Sequence, residues 1–137
     1  MDLLIHEVLD KASKARKKEL KVDILRKNES WALKDVLRGT YDSKIVWLLP
    51  GGEPPYTPCR EESVPSNLLR RNVDFKYFLG AQGKAMKPYK RESIFIGLIE
   101  AIHPKDAKVV ISMINKEKFG GITRNVIEEA FPGLLTD

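Results

Sequence analysis

Residues Pro88 to Ile114 read PYKRESIFIGLIEAIHPKDAKVVISMI, and this stretch decides the fold class. Ile94, Phe95, Leu98, Ile99 and Ile102 recur at the spacing that lines one side of an α-helix, and Pro88 stands where a first helical turn tolerates a residue with no N–H. His103-Pro104 interrupts the pattern. Pro104 then opens a second helix whose inward face is Ala107, Val110, Ile111, Met113 and Ile114.

The pattern extends in both directions. Toward the C-terminus, Gly120-Gly121 is expected to end the second helix. Thr123 then caps a last helix anchored by Val126, Ile127, Ala130 and Phe131 ahead of Pro132. Upstream, Ser66 caps a helix carrying Leu68, Leu69, Val73, Phe75, Tyr77 and Phe78, closed by Gly80. Residues 50–65 hold five of the eight prolines plus Gly51 and Gly52, so they form neither a regular helix nor a central strand. This segment reads as an ordered surface loop between an N-terminal half, 1–49, and a C-terminal half, 66–137, of one domain spanning 1–137.

In the first half, Ile5, Val8, Leu9 and Ala12 define one helix, and Leu20, Ile24 and Leu25 a second. A third has Leu33, Val36 and Leu37 inward, with Asn28 or Ser30 as its cap and Gly39 at its end. The run Ile45 to Leu49 is β-branched but has no second strand-like segment to pair with, so it reads as helix or irregular chain. The expected fold is all-α, a compact bundle of six to eight short helices. Ile24, Leu37, Phe95, Leu98, Ile111, Ile114 and Ile127 are expected in its core.

A length of 137 residues suits a single core, and 42% hydrophobic with 31% charged residues suits a folded globular chain. No apolar run approaches membrane-spanning length, and charges interrupt the opening Met-Asp-Leu-Leu-Ile-His-Glu where a signal peptide needs an apolar core. A soluble cytoplasmic protein with no membrane partner is expected, in the host cytoplasm if a phage encodes it. The single Cys59 excludes an internal disulfide and reads as a loop residue.

No phosphate-binding glycine loop, metalloprotease helix or Cys/His ligand cluster is present, so neither catalytic residues, metal nor cofactor are expected. His103 reads as a helix cap rather than a base, and Trp31 and Trp47 as core rather than stacking platforms. Glu61-Glu62 and Glu128-Glu129 are adjacent pairs that belong in solvent.

A net charge of +5 favours an anionic partner. Basic residues gather at Lys11, Lys14, Arg16, Lys17 and Lys18, at Lys84, Lys87, Lys90 and Arg91, and at Lys116, Lys118 and Arg124 around Gly120-Gly121. Each cluster alone is compatible with a solvated face. The last has two readings. It is a helix connection with a left-handed glycine, or a phosphate cradle in which backbone N–H groups at a Thr-capped helix start stand beside Arg124.

Lys17 to Tyr41, KKELKVDILRKNESWALKDVLRGTY, resembles the second and third helices of the N-terminal domain of T-even bacteriophage-type ATP-dependent DNA ligases. The shared features are an Ile-Leu pair, Lys-Asn, a Leu-Lys step and a Thr-Tyr ending. Residues 92–134 resemble the same domain down to Pro132-Gly133-Leu134 after an aromatic, with Gly121 where those ligases bring a glycine to the DNA backbone. The chain is also similar to a family of small proteins of large tailed phages. The resemblance implies a freestanding, all-helical, non-enzymatic binder of intact or nicked duplex DNA, serving replication, repair or transcription. Its phosphate contacts would fall at Lys116, Lys118, Gly120, Gly121, Thr123 and Arg124, and further at Lys14, Arg16, Lys17 and Lys18. The ligase adenylation motif Lys-Xaa-Asp-Gly is missing; Lys21-Val22-Asp23-Ile24 lacks the glycine.

The alternative is a protein-binding adaptor or inhibitor that acts on a sliding clamp or a host protein. Tyr77-Phe78 and Leu134-Leu135 would be its anchors, although Asp74 breaks the usual clamp-motif spacing.

Overall fold

The computed structural model describes residues 3–137, which contain eight α-helices, one 3-10 helix and no strand. The all-α expectation holds. Helices α1 (Ile5–Lys14), α2 (Lys18–Lys27) and α3 (Trp31–Tyr41) come first, and the irregular chain of 42–67 follows. Then come α4 (Leu68–Arg71), the 3-10 helix Asn72–Phe78, α5 (Gly80–Lys84), α6 (Pro88–Ala101), α7 (Pro104–Ile114) and α8 (Arg124–Ala130). No described helix is long and apolar enough to cross a membrane.

The two halves of the sequence interlock: α7 packs on α1, α3 and α6, while α8 packs on α2. Leu33, Leu37, Leu98, Ile99, Met113 and Ile127 are fully buried in the shared core, each contributing about 1.5–3 kcal/mol. Phe95 and Ile114 are buried with them, whereas Ile24 and Ile111 are only half-buried. Leu20, expected inward, is 51% exposed.

Several helix ends follow from side-chain chemistry. Ser30 Oγ accepts the Leu33 N–H at 3.0 Å and Thr123 Oγ1 that of Val126 at 3.4 Å. His103 is a cap, its Nδ1 accepting the Lys105 N–H at 3.1 Å. Its ring stacks on His6, which bonds the buried Asp106 at 2.8 Å.

Other ends differ from expectation. Gly39 does not end α3, which runs on to Tyr41. The glycine is required by packing: a Cβ there would stand 2.5 Å from Trp47 Cζ2 and 2.8 Å from Met113 Sδ. The Trp47 indole N–H donates to the Gly39 carbonyl at 3.0 Å. Helix α7 stops at Ile114, well before Gly120-Gly121. The Glu117 N–H reaches the Ser112 carbonyl and the Lys116 N–H that of Met113, with Lys116 in the left-handed region at φ 56°. This is the double-bonded helix stop that usually carries glycine.

Asn67, not Ser66, caps the helix after the loop, its Oδ1 accepting the Leu69 N–H at 2.9 Å. That helix lasts one turn and tightens into the 3-10 segment. The reason lies in the spacing of Asn72, Phe75 and Phe78, all buried. Their three-residue repeat matches the three residues per turn of a 3-10 helix. Val73 is thereby turned outward, 60% exposed.

Residues 45–49 are irregular and strapped across the bundle. Leu48 N–H donates to the Phe78 carbonyl at 2.7 Å, and Arg91 Nε to the Leu48 carbonyl at 3.0 Å. The proline-rich loop lies over α6 and α7. Asn115 brackets Gly52 at 2.6 and 3.1 Å, Glu100 accepts the Thr57 N–H at 2.7 Å, and the Cys59 thiol donates to the Ile102 carbonyl at 2.8 Å.

We expect Gly39→Ala to lower stability by roughly 1–3 kcal/mol through overpacking against Trp47 and Met113. Urea unfolding followed by tryptophan emission measures this; an unchanged midpoint would contradict the close approach of α3, α7 and the 45–49 strap.

Candidate nucleic-acid interface

Lys14 ends α1, the turn that follows carries Arg16 and Lys17, and Lys18 starts α2. The segment between α7 and α8 carries Lys116, Lys118, Gly120, Gly121 and Thr123. About a hundred residues apart in sequence, these two segments touch. Lys21 Nζ donates to the Ser13 carbonyl at 3.3 Å and to the Gly121 carbonyl at 2.5 Å. From the inside, the Tyr41 hydroxyl contacts the carbonyls of Ile122 at 2.5 Å and Phe119 at 3.3 Å and accepts the Phe119 N–H at 3.0 Å. Burial raises the pKa of that hydroxyl, although its bond to Phe119 opposes the shift. Neither Lys21 nor Tyr41 was singled out from sequence as a site residue. The signal available was their spacing: Lys21 follows four residues after Lys17, the residue that caps α2, and Tyr41 closes α3.

Gly121 sits at φ +76°, and a Cβ on it would lie 2.6 Å from the Ser13 carbonyl oxygen. The close backbone approach that its position demands is therefore to the chain's own α1. Gly120 is exposed and a Cβ there would meet nothing within 4 Å.

The cations differ in what they have left to offer. Arg16, Lys17 and Lys118 are exposed, and among the described residues no carboxylate lies within ion-pair distance of them. Lys14 pairs with Asp10 at 3.1 Å and Lys18 with Glu129 at 2.8 Å, both in solvent. Lys116 is half-buried and turned inward, its Nζ donating to the Asp42 carbonyl at 2.7 Å, and burial lowers its pKa despite Asp42 and Asp137 nearby.

Arg124 also departs from expectation. It bonds Glu128 Oε1 at 2.9 Å and the Asp137 carboxylate, and approaches the Tyr41 carbonyl at 3.4 Å. Its hydrogen bonds to Asp137 and Glu128 hold its pKa above the usual arginine value. Its charge is balanced by the chain itself. Thr123 caps a helix of only seven residues.

In the third basic cluster Arg91 is internal, donating to the carbonyls of Gly83 at 2.9 Å and Met86 at 2.6 Å, while Lys84, Lys87 and Lys90 are exposed beside Tyr89. The anchors proposed for a protein partner are largely occupied: Phe78 is fully buried, and Tyr77, Leu134 and Leu135 pack against the core.

Beneath Arg124 and Lys116 lies Asp42, shielded by the C-terminal tail. Its carboxylate accepts the Lys44 N–H at 2.9 Å and both the N–H and hydroxyl of Thr136, at 2.9 and 3.1 Å. Burial would raise its pKa, but these hydrogen bonds outweigh it and hold the carboxyl below the usual aspartate value.

These features define a small all-helical protein with a composite basic face. The chain belongs to a family described as being of unknown function (DUF6433), whose profile matches residues 8–118. That stretch takes in the α1–α2 turn, Lys21, Tyr41, Lys116 and Lys118, and ends before Gly120 and α8. No curated protein matches the sequence.

Gly121→Ala should cost about 1–3 kcal/mol through the positive φ and the Ser13 contact, seen as a lower denaturation midpoint in the absence of any nucleic acid. An unchanged midpoint would mean that α1 and the glycine segment are not held together there. The Asp42 network sets an acid limit. Because folding favours ionised Asp42, its stabilisation is complete above the ordinary aspartate pKa of about 4 and is lost as pH falls through the lower folded value. Asp42→Asn should melt lower than the parent at pH 7, with the gap narrowing below about pH 4. Melting curves that stay parallel across this range would contradict the assignment.

Proposed function

We propose that this chain is a non-enzymatic, sequence-nonspecific binder of duplex DNA, gripping the phosphate backbone with the face where the α1–α2 turn meets the segment before α8. The observation that carries the reading is the Lys21 clamp, which joins two basic clusters from opposite ends of the chain into one surface. Arg16, Lys17 and Lys118 present unpaired charge on it, and Gly120 leaves its backbone open to a phosphate. Exposed cations suit phosphate contacts, which position a protein on DNA without reading sequence. The resemblance to the ligase N-terminal domain supports a duplex over a single strand, intact or nicked, and a setting in phage replication, repair or transcription in the host cytoplasm.

Relative to that resemblance the contacts shift. Arg124 and Lys116 hold the scaffold, while Arg16, Lys17 and Lys118 carry the charge. The second reading, a protein-binding role on a sliding clamp or host protein, draws support from the apolar groove beside Trp31 rather than from Tyr77-Phe78 or Leu134-Leu135.

Duplex binding should fall steeply with salt, and Arg16→Ala, Lys17→Ala and Lys118→Ala should each weaken all sequences alike and reduce the salt slope by roughly one. Lys27→Ala, whose ammonium pairs with Asp23 at 3.0 Å, should bind like the parent. Arg124→Ala should lower the melting temperature more than it changes the salt slope. Titrations of a labelled duplex at two salt concentrations read all of these; a triple variant at Arg16, Lys17 and Lys118 that binds like the parent at low salt would end the proposal.

A further inference from the structure

Between α3 and the 3-10 helix runs an open groove of about 790 Å³. Both tryptophans of the chain line it. Trp31, read from sequence as core, is 78% exposed, because it occupies the first position of α3 beyond the reach of the bundle. Trp47 is fixed edge-on against Phe75 at 6.0 Å.

The opposite wall is a consequence of the 3-10 geometry. Arg70, Val73, Lys76 and Leu79, three residues apart, line it in a row, and the buried Asn72 and Phe75 line it as well. Cationic and apolar side chains alternate along it. Ile45 and Leu69 extend the apolar surface.

Charge on the rim is mainly positive. Arg70 has no carboxylate within ion-pair distance among the described residues, Lys76 lies over the Tyr77 ring at 5.2 Å, and Arg38 comes no closer than 3.8 Å to a carboxylate, that of Asp42. The groove's own carboxylate, Asp35, is held by the Asn72 amide at 2.8 Å.

We propose that this groove receives an acidic amphipathic helix from a partner protein, its apolar side chains entering between Trp31 and Val73 and its carboxylates meeting Arg38, Arg70 and Lys76. Spacing supports a helical occupant: three residues of 3-10 helix advance about 6 Å, close to the distance between residues i and i+4 on an α-helix. Exposed tryptophan and arginine are the side chains that most often anchor such contacts. The aliphatic wall of Leu69, Val73 and Leu79 suits inserted side chains better than stacked bases. This surface is separate from the residues proposed to hold DNA.

The test is selection of a random peptide display library on the intact chain, against Val73→Glu and Arg70→Glu/Lys76→Glu chains as counter-selections. These residues are exposed, and unchanged melting curves would verify that the variants fold. Enriched peptides should carry apolar residues three or four apart with Asp or Glu between them. A synthetic peptide from that set should shift the tryptophan emission of the parent and bind each variant at least about tenfold more weakly. The proposal is overturned if no peptide is enriched over the Val73→Glu chain, or if the enriched peptides lack carboxylates. It is also overturned if oligothymidylate shifts the same emission and displaces the peptide, which would make the groove a nucleic-acid site.

Discussion

Two irregular segments, 42–67 and 115–123, lie against an apolar helical bundle, and their main-chain polar groups need partners that no helix or sheet ladder supplies. Side chains provide them, some from the helices and some from the irregular segments themselves. Tyr41 and Lys21 hold the segment before α8, Arg91 holds the strap after α3, Asn115 and Glu100 hold the proline-rich loop, and Asp42 holds the C-terminal tail. Arg26 does the same for the end of α8, donating to the Ala130 carbonyl at 3.2 Å where the helix dipole favours a cation. An unpaired buried carbonyl or N–H costs about 1–3 kcal/mol, and the Tyr41 bond to the Ile122 carbonyl is a buried contact of this kind.

This constraint reshapes the electrostatics. The net charge of +5 counts Arg91, Lys116, Arg124 and Lys21 as if they faced a partner. Three of them satisfy carbonyls, and Arg124 is balanced by Glu128 and Asp137. The outward positive potential therefore comes from fewer residues than the composition implies. Arg16, Lys17 and Lys118 sit around the Lys21 clamp, Lys84, Lys87 and Lys90 beside Tyr89, and Arg70 and Lys76 along the groove. An apolar groove with a basic rim and a basic face without one are different kinds of surface, consistent with partners of different chemistry.

Helical periodicity was legible in much of the sequence: the stripes of α1, α3 and α8 are those of the buried residues, those of α6 and α7 are so apart from the half-buried Ile94 and Ile111, and Ser30, His103 and Thr123 cap where the pattern places them. The errors have two sources. Gly39, Gly120 and Gly121 read as helix stops because glycine commonly serves there, yet Gly39 admits a tryptophan, Gly121 admits the end of α1, and a lysine makes the left-handed stop after α7. Leu20, Val73 and Trp31 read as core because they are apolar, although one helix face cannot bury every apolar residue it carries.

Local sequence determined the helices, most of their caps, the all-α class and the loop at 50–65, because hydrophobic period, proline and capping side chains act over a few residues. Which lysine and arginine side chains reach solvent, that the α1–α2 turn meets Gly121, and that a groove opens beside Trp31 were decided only by the tertiary structure. Those outcomes depend on contacts such as Lys21 with Gly121 and Asp42 with Thr136, between residues about a hundred positions apart. No local pattern encodes that separation, since the pairing arises only when α7 and α8 pack onto the first three helices and bring the two ends of the chain together.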